Sequence, residues 1–305
     1  MAPVQNTINI KCVVIVVHIN WYPGHMKKTK ELIQENLKLV DVVIELLDAR
    51  IPMSSRNPQI DELVERKPRV IVLNKSDLAD PQVTRRWINY FAAQGINAIP
   101  VNSMTGEGLD KMTALVEAAA KEKMDALVNK GMRKRAVRSM IVGIPNVGKS
   151  SIINRLTGKK SAKTGDKPGV TKGKQWVRLR GNIELLDTPG ILWPKFEDQQ
   201  VGFKLAFTGA IKDEVLDIET IALHLVAYLV REYTDQIQER YKLSEIFQED
   251  LENLEGIAKN RGCIFSGGRI DYARTANLIL DEFRSGKIGK ITLEKPEDYI
   301  STIEA

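Results

Sequence analysis

The sequence predicts an α/β fold, a mostly parallel sheet covered by helices, followed by a small all-helical domain at the C-terminal end. Three observations predict it. Short apolar runs alternate with helical stretches up to about residue 200. A glycine-rich loop stands between one of those runs and the helix after it. Beyond residue 200 the strand signals stop and only helical spacings remain. Alternation of the first kind implies parallel strands with helices on their faces.

Taken in order, Met26–Leu39 reads as a helix and Val42–Leu47 as a buried strand. Val70–Leu73, Ile96–Val101 and Met140–Val142 are further buried strands, with helices at Val83–Ala93 and Leu109–Leu127 between them. The latter helix carries apolar residues at Leu109, Met112, Val116 and Ala119, a helical stripe. Gln175–Leu179 and Ile183–Leu186 complete the strands. In the last third, three sets have helical spacing and predict core-facing stripes: Ile221, Leu225, Tyr228 and Leu229; Phe247, Leu251, Leu254 and Ala258; Ala276, Ile279, Leu280 and Phe283.

The 305 residues suffice for two domains at roughly 100–200 residues each. With 43% hydrophobic and 28% charged residues, a disordered chain is excluded. The net charge of +6 favours an acidic partner such as RNA, and its distribution strengthens that expectation. Arg155–Arg180 holds nine Lys/Arg against one Asp, Lys121–Arg138 seven against two, and Lys259–Lys290 seven against three. The two cysteines, Cys12 and Cys263, form no ligand-like spacing, so neither a disulfide framework nor a zinc site is expected. The Cys12–Val17 apolar run is far short of the about 20 residues a spanning helix needs. No membrane association, no signal peptide and a cytoplasmic location are the expectations.

Gly143-Ile-Pro-Asn-Val-Gly-Lys149-Ser150 matches a phosphate-binding loop between a strand and a helix. Its glycines let the chain curl so that successive N–H groups face one anion, and the helix N-terminus adds partial positive charge. Pro145, Asn146, Val147, Gly148, Lys149, Ser150 and Ser151 are the residues expected around the phosphates. Lys149 is expected at the β- and γ-phosphates and the Ser150 hydroxyl on Mg²⁺. Asp187-Thr-Pro-Gly190 follows the last strand; Asp187 suits the Mg²⁺ shell and Gly190 the γ-phosphate. Thr171 lies between the two and can close on Mg²⁺ when the γ-phosphate is present, as a switch. Asn74-Lys75-Ser76-Asp77 chooses the base. The Asp77 carboxylate can accept from guanine N1–H and the N2 amine, a donor pair that adenine lacks. Asn74 and the Lys75 stem are expected to shape and cover the base, and Asn102-Ser103 to supply a backbone N–H to guanine O6.

The base loop therefore precedes the phosphate loop, the reverse of most regulatory GTPases. A site needs its loops to converge at strand ends, not a fixed chain order, so this reads as a circularly permuted P-loop GTPase domain. The permutation places the helical domain directly after the γ-phosphate-sensing loop, so a GTP-driven shift can pass straight into it.

These motifs in this order resemble the circularly permuted GTPases of the ribosome-assembly group, and within it the ribosome biogenesis GTPase A family. The resemblance rests further on Trp21-Tyr-Pro-Gly-His25-Met26, on Asp48-Ala-Arg50-Ile-Pro-Met-Ser-Ser-Arg56-Asn57, on Asp187 through Asp198, on Thr208-Gly-Ala-Ile-Lys212-Asp213 and on the stretch from Arg261 to Gly289. It covers nearly the whole chain from Trp21. It implies a GTPase domain over residues 21–200 and a helical RNA-binding domain over 201–305, similar to an antiterminator fold. Residues 1–20 depart from the pattern and form an N-terminal extension of unassigned origin.

The resemblance also implies GTP and Mg²⁺ as substrate and cofactor. It implies a late precursor of the bacterial large ribosomal subunit and its ribosomal RNA as partners, and a monomer off the ribosome. Ile191 follows the Asp187–Gly190 loop where Ras has the water-orienting Gln, and an aliphatic side chain cannot orient water. The family points instead to His25, whose alternatives are RNA contact or packing near Trp21. Asn146 matches the asparagine that binds K⁺ in potassium-activated GTPases. Asp48 and Arg50 receive no role. Two other functions remain open at this point: an RNA-binding scaffold with a nucleotide switch but little catalysis, and a GTPase serving a tRNA-modification partner.

Overall fold

A computed structural model describes residues 31, 34–64, 67–158, 176–179, 181–186 and 198–300. Among them six strands form one sheet: β1 (Val42–Asp48), β2 (Arg69–Asn74), β3 (Asn97–Val101), β4 (Val137–Val142), β5 (Trp176–Arg178) and β6 (Ile183–Leu186). Their order is β3-β2-β1-β4-β6-β5. Every pairing is parallel except that of β5 with β6, which is antiparallel at one edge.

β1 is buried at all seven positions, as a central strand covered on both faces must be. Its side chains alternate between the two faces. Val42, Ile44 and Leu46 join Val70 and Val72 on one face, beneath α3 (Leu109–Asn129) and α4 (Lys149–Thr157). On the other face Val43 meets Ile60 and Val64 of α1 (Gln59–Val64). Leu47, Ile71 and Leu73 meet Val83, Trp87 and Phe91 of α2 (Pro81–Ala93). α2 starts where Asp80 accepts from the Gln82 and Val83 N–H groups, with Pro81 in the first turn.

The C-terminal helices are α5 (Gln199–Phe207), α6 (Ile218–Glu232), α7 (Thr234–Tyr241), α8 (Asp250–Asn260), α9 (Tyr272–Arg284) and the short α10 (Glu297–Ile300). α6 buries Ile221, Leu225, Val226 and Leu229 among them. The apolar cluster of the first sheet face continues unbroken into these helices through Ile51, Leu205, Phe207, Ile211 and Phe283.

The segment after α9 returns to the sheet. Ile291 N–H donates to the Leu78 carbonyl (3.0 Å) and Leu293 N–H to that of Arg50 (2.8 Å). The buried Glu294 carboxylate accepts from Met53 N–H (2.7 Å), Ser54 N–H, the Ser54 hydroxyl, Lys204 Nζ (3.2 Å) and Tyr299 OH (3.1 Å). Nothing in the local sequence pattern marks Glu294 as this hub.

Three details differ from the sequence reading. β4 begins three residues before Met140, at Val137. On α3 the fourth buried position is Ala120 and not Ala119. Phe247 stands outside α8, because the Asn253 side chain bonds to both its N–H and its carbonyl (2.9 Å each) and closes a turn ahead of the helix. The predicted helix Met26–Leu39 falls partly outside the described residues; 34–37 are helical.

Candidate nucleotide site

Four parallel strands end side by side. Asp48 of β1 is in register with Asn74 of β2, and Asn74 with Val101 of β3; β4 lies on the other side of β1. The loops that leave these ends are therefore neighbours, although the chain visits them far apart. This is the edge at which open α/β sheets bind ligands.

The phosphate loop closes over β4 with little room. A Cβ on Gly143 would lie 2.5 Å from the Leu46 carbonyl oxygen, and one on Gly148 would lie 2.2 Å from Asn74 Nδ2. Gly148 also takes φ +106° at the start of α4, so the tight approach and the left-handed turn both require glycine there. Lys149 Nζ donates to the carbonyls of Gly143 (2.9 Å) and Ile144 (2.6 Å), which holds its ammonium across the mouth of the loop. Ser150 is half-buried in the first turn of α4, and among the described residues its hydroxyl has no hydrogen-bond partner. A hard hydroxyl oxygen left open beside a helix N-terminus fits a Mg²⁺ ligand.

Asn74 joins three loops. Its Nδ2 donates to the Val147 carbonyl (2.7 Å), and its Oδ1 accepts the Ser103 N–H (3.1 Å). Lys75 adopts φ +59°, and its Nζ lies 3.0 Å from Asp48 Oδ2. Asp77 is exposed, and among the described residues its carboxylate has no hydrogen-bond or ionic partner. An unclaimed acceptor pair at this position is what recognition of a guanine donor edge needs.

The N–H groups of Asn102 and Ser103, expected near guanine O6, both have partners within the protein. The Asn102 N–H donates to the Glu107 carbonyl (3.0 Å), and the Ser103 N–H is the one held by Asn74. Asn102 Oδ1 further accepts from the N–H groups of Met104 (2.8 Å) and Thr105 (3.2 Å), so the loop folds back on its own asparagine.

Two contacts missed by sequence reasoning tie the site to the helices. Asn146, at φ +56°, donates through Nδ2 to the Gly209 carbonyl (3.0 Å). The turn around Gly209 is itself held by Arg284, which donates to the carbonyls of Ala206 (2.8 Å) and Phe207 (3.1 Å) and pairs with Asp213 (2.7 Å). The other is the buried pair Asp48–Arg50. Arg50 Nε and Nη2 donate to the two Asp48 oxygens (2.9 and 2.8 Å), and the Arg50 guanidinium lies 5.3 Å from the Phe283 ring centre. Burial raises the Asp48 pKa, but the charges of Arg50 and then Lys75 outweigh it and hold the carboxyl well below its usual range.

His25, Thr171, Asp187, Gly190 and Ile191 lie outside the described residues, as do Trp21, the extension 1–20 and most of the basic stretch Arg155–Arg180. The stretch Lys121–Arg138 is partly structural: Lys123 (2.6 Å) and Arg135 (2.7 Å) both pair with the buried Asp41.

A family described as "50S ribosome-binding GTPase" matches residues 138–258, from β4 and the phosphate loop into α8. Over 94% of this chain and 97% of its own length, the ribosome biogenesis GTPase A of Bacillus cereus is 52% identical. The chain belongs to the ribosome biogenesis GTPase A family. The Thermotoga maritima protein of that name is 35% identical over 92% of this chain and 95% of its own length. Among solved structures, the GNP-bound YlqF from T. maritima superposes with a TM-score of 0.60 at 31% identity, covering 88% of this chain and 99% of that one. The GDP-bound YlqF gives 0.61 at 30% identity. As a member of this family the chain is a circularly permuted GTPase, with GTP as its substrate and GDP and phosphate as products.

Proposed function

We propose that this GTPase acts in assembly of the large ribosomal subunit. In its GTP state it binds a late precursor of that particle through ribosomal RNA and promotes its maturation, and the particle stimulates hydrolysis. The observation that carries this reading is relatedness along nearly the whole chain to proteins named for ribosome biogenesis.

A surface feature supports the RNA contact. Between α8 and α9 the chain forms a small hairpin, with Ile264 bridged to Ile270 and Phe265 N–H donating to the Arg269 carbonyl (2.8 Å). Ile264 is 45% and Phe265 51% exposed. Lys259, Arg269 and Arg274 are exposed around this tip, and none has an ionic partner among the described residues. An uncovered aromatic ring among unpaired cations suits unstacked RNA bases and their phosphates. The helical region 201–305 is then the RNA-binding domain, 21–200 the GTPase domain and 1–20 an extension.

Within the site, Asp77 reads guanine while Asn74 and Lys75 shape its pocket. Lys149 and the N–H groups of residues 146–151 hold the phosphates. Ser150, with Thr171 and Asp187, holds Mg²⁺, which when bound neutralises charge between the phosphates. The Asn146 oxygen is available to K⁺ beside them, since its nitrogen is the atom that meets Gly209. Gly190 senses the γ-phosphate, and His25 orients the attacking water.

Co-sedimentation of the whole protein with large-subunit particles tests the function. Pelleting is expected with a non-hydrolysable GTP analogue and not with GDP or the ATP analogue. Equal pelleting under all three conditions, or none under any, overturns the proposal.

A further inference from the structure

Asp48 has no part in the nucleotide site as the motifs define it, yet its carboxylate pairs with Lys75 of the base-reading loop. The register of β1 with β2 places it beside Asn74, so the next residue, Lys75, emerges next to its carboxylate. Lys75 Nζ sits 3.0 Å from Asp48 Oδ2. Every other lone-pair direction of Asp48 faces Arg50: Nε (2.9 Å) and backbone N–H (3.1 Å) on Oδ1, and Nη2 (2.8 Å) on Oδ2. One buried carboxylate thus serves two cations, one buried beside it and one reaching from the pocket edge.

We propose that Asp48 is a positioning residue for the guanine pocket: it holds the Lys75 side chain across the site, with Arg50 as the fixed counter-charge that keeps Asp48 in place. This rests on the reading of Asn74–Asp77 as the base loop. A lysine at the pocket edge would otherwise extend into water and keep its full rotamer freedom. Pinned by Asp48, its four-carbon stem is laid down before the base arrives, and the ordering cost is removed from the binding step. Arg50 is immobile in turn. It stacks at 5.3 Å on Phe283 of α9, and its carbonyl accepts the Leu293 N–H (2.8 Å). The base loop is therefore braced against the C-terminal helices through two side chains, Asp48 and Arg50.

The test is a double-mutant cycle on the full chain, titrated with fluorescent GDP. Asp48→Asn and Lys75→Met are each expected to weaken GDP about two- to tenfold, the range set by ordering one long side chain. The double variant should bind no more weakly than Lys75→Met, because Asp48 reaches the nucleotide only through Lys75. Thermal unfolding separates positioning from scaffolding. Asp48→Asn should lower the Tm in both backgrounds, since Arg50 loses its partner in each, whereas its effect on affinity should vanish once Lys75 is Met. Multiplying affinity losses, or wild-type GDP binding by Asp48→Asn, overturns the proposal. If Asp48→Asn does not fold, Lys75→Arg replaces it. A guanidinium that still pairs with Asp48 should bind GDP within about twofold of wild type, and a loss as large as that of Lys75→Met overturns the proposal. Asp77→Ala serves as the control for the underlying reading. If it abolishes preference for GTP while the cycle fails, the base loop stands and only the role of Asp48 falls.

Discussion

Asn74 Nδ2 donates to the Val147 carbonyl over 2.7 Å, joining the base-reading and phosphate-binding loops across 73 residues of chain. The same side chain accepts the Ser103 N–H, so one buried amide sets the mutual positions of three loops. Asn74→Ala leaves a buried carbonyl and a buried N–H unpaired. It is expected to cost about 2–4 kcal/mol of stability, read from urea unfolding, and to weaken GDP binding in parallel.

Asp77, the proposed reader of guanine, does not carry the fold, because it is exposed and unpaired among the described residues. Asp77→Ala should lower GTP affinity about 10- to 100-fold, the worth of hydrogen bonds to a charged acceptor. Its affinity for ATP and its unfolding midpoint should stay close to wild type. Competition titrations of GTP against ATP measure this, and an unchanged ratio removes Asp77 from base recognition.

The exposed hairpin separates RNA contact from turnover. Phe265→Ala and Arg269→Ala should each reduce affinity for large-subunit particles about tenfold, the loss of one stacked base or one phosphate contact. Both substitutions lie on the surface, so stability should move by less than about 0.5 kcal/mol and hydrolysis without particles should be unaffected. Particle affinity equal to wild type for both variants would remove the hairpin from the interface.

Asp41 sets an acid limit. Burial raises its pKa, but hydrogen bonds from Arg135, Lys123 and the Arg138 N–H more than offset this and lower it to about 2. A depressed carboxylate contributes stability above its unfolded pKa of about 3.9 and loses it as pH falls through the folded value. The window of loss is therefore about pH 4 to 2. With Lys123 half-exposed and screened by solvent, the contribution is on the order of 1 kcal/mol. Asp41→Asn should be less stable at pH 7 and show a flatter decline of Tm over that window.

The nucleotide loops were legible because phosphate and guanine chemistry demands fixed residue types at short, fixed spacings. The sheet was legible because buried parallel strands are continuous apolar runs such as Val42–Leu47. The partners of those loops were not. Asp48 stands 27 residues before Lys75, and only the in-register pairing of β1 with β2 brings the two together. Asn146 and Gly209 stand 63 residues apart and meet only in the fold, and an isolated glycine after a helix gives no hint of that. The internal partners of the Asn102 and Ser103 N–H groups were not legible either. Whether a backbone N–H is available depends on the turn that Asn102 closes with its own side chain.

By itself the sequence determined the family, the permuted order of the loops, and the alternation of strands and helices. Each of these is written in local pattern, in which neighbours along the chain carry the information. Tertiary structure alone decided what supports them: Asn74 as the tie between loops, Asp48 and Arg50 as the brace under Lys75, and Glu294 as the carboxylate that fastens the C-terminal segment to Met53 and Ser54. The physical reason is distance along the chain. Hydrogen bonds and buried ion pairs act over about 3 Å in space, and the fold brings residues as many as 241 positions apart within that reach.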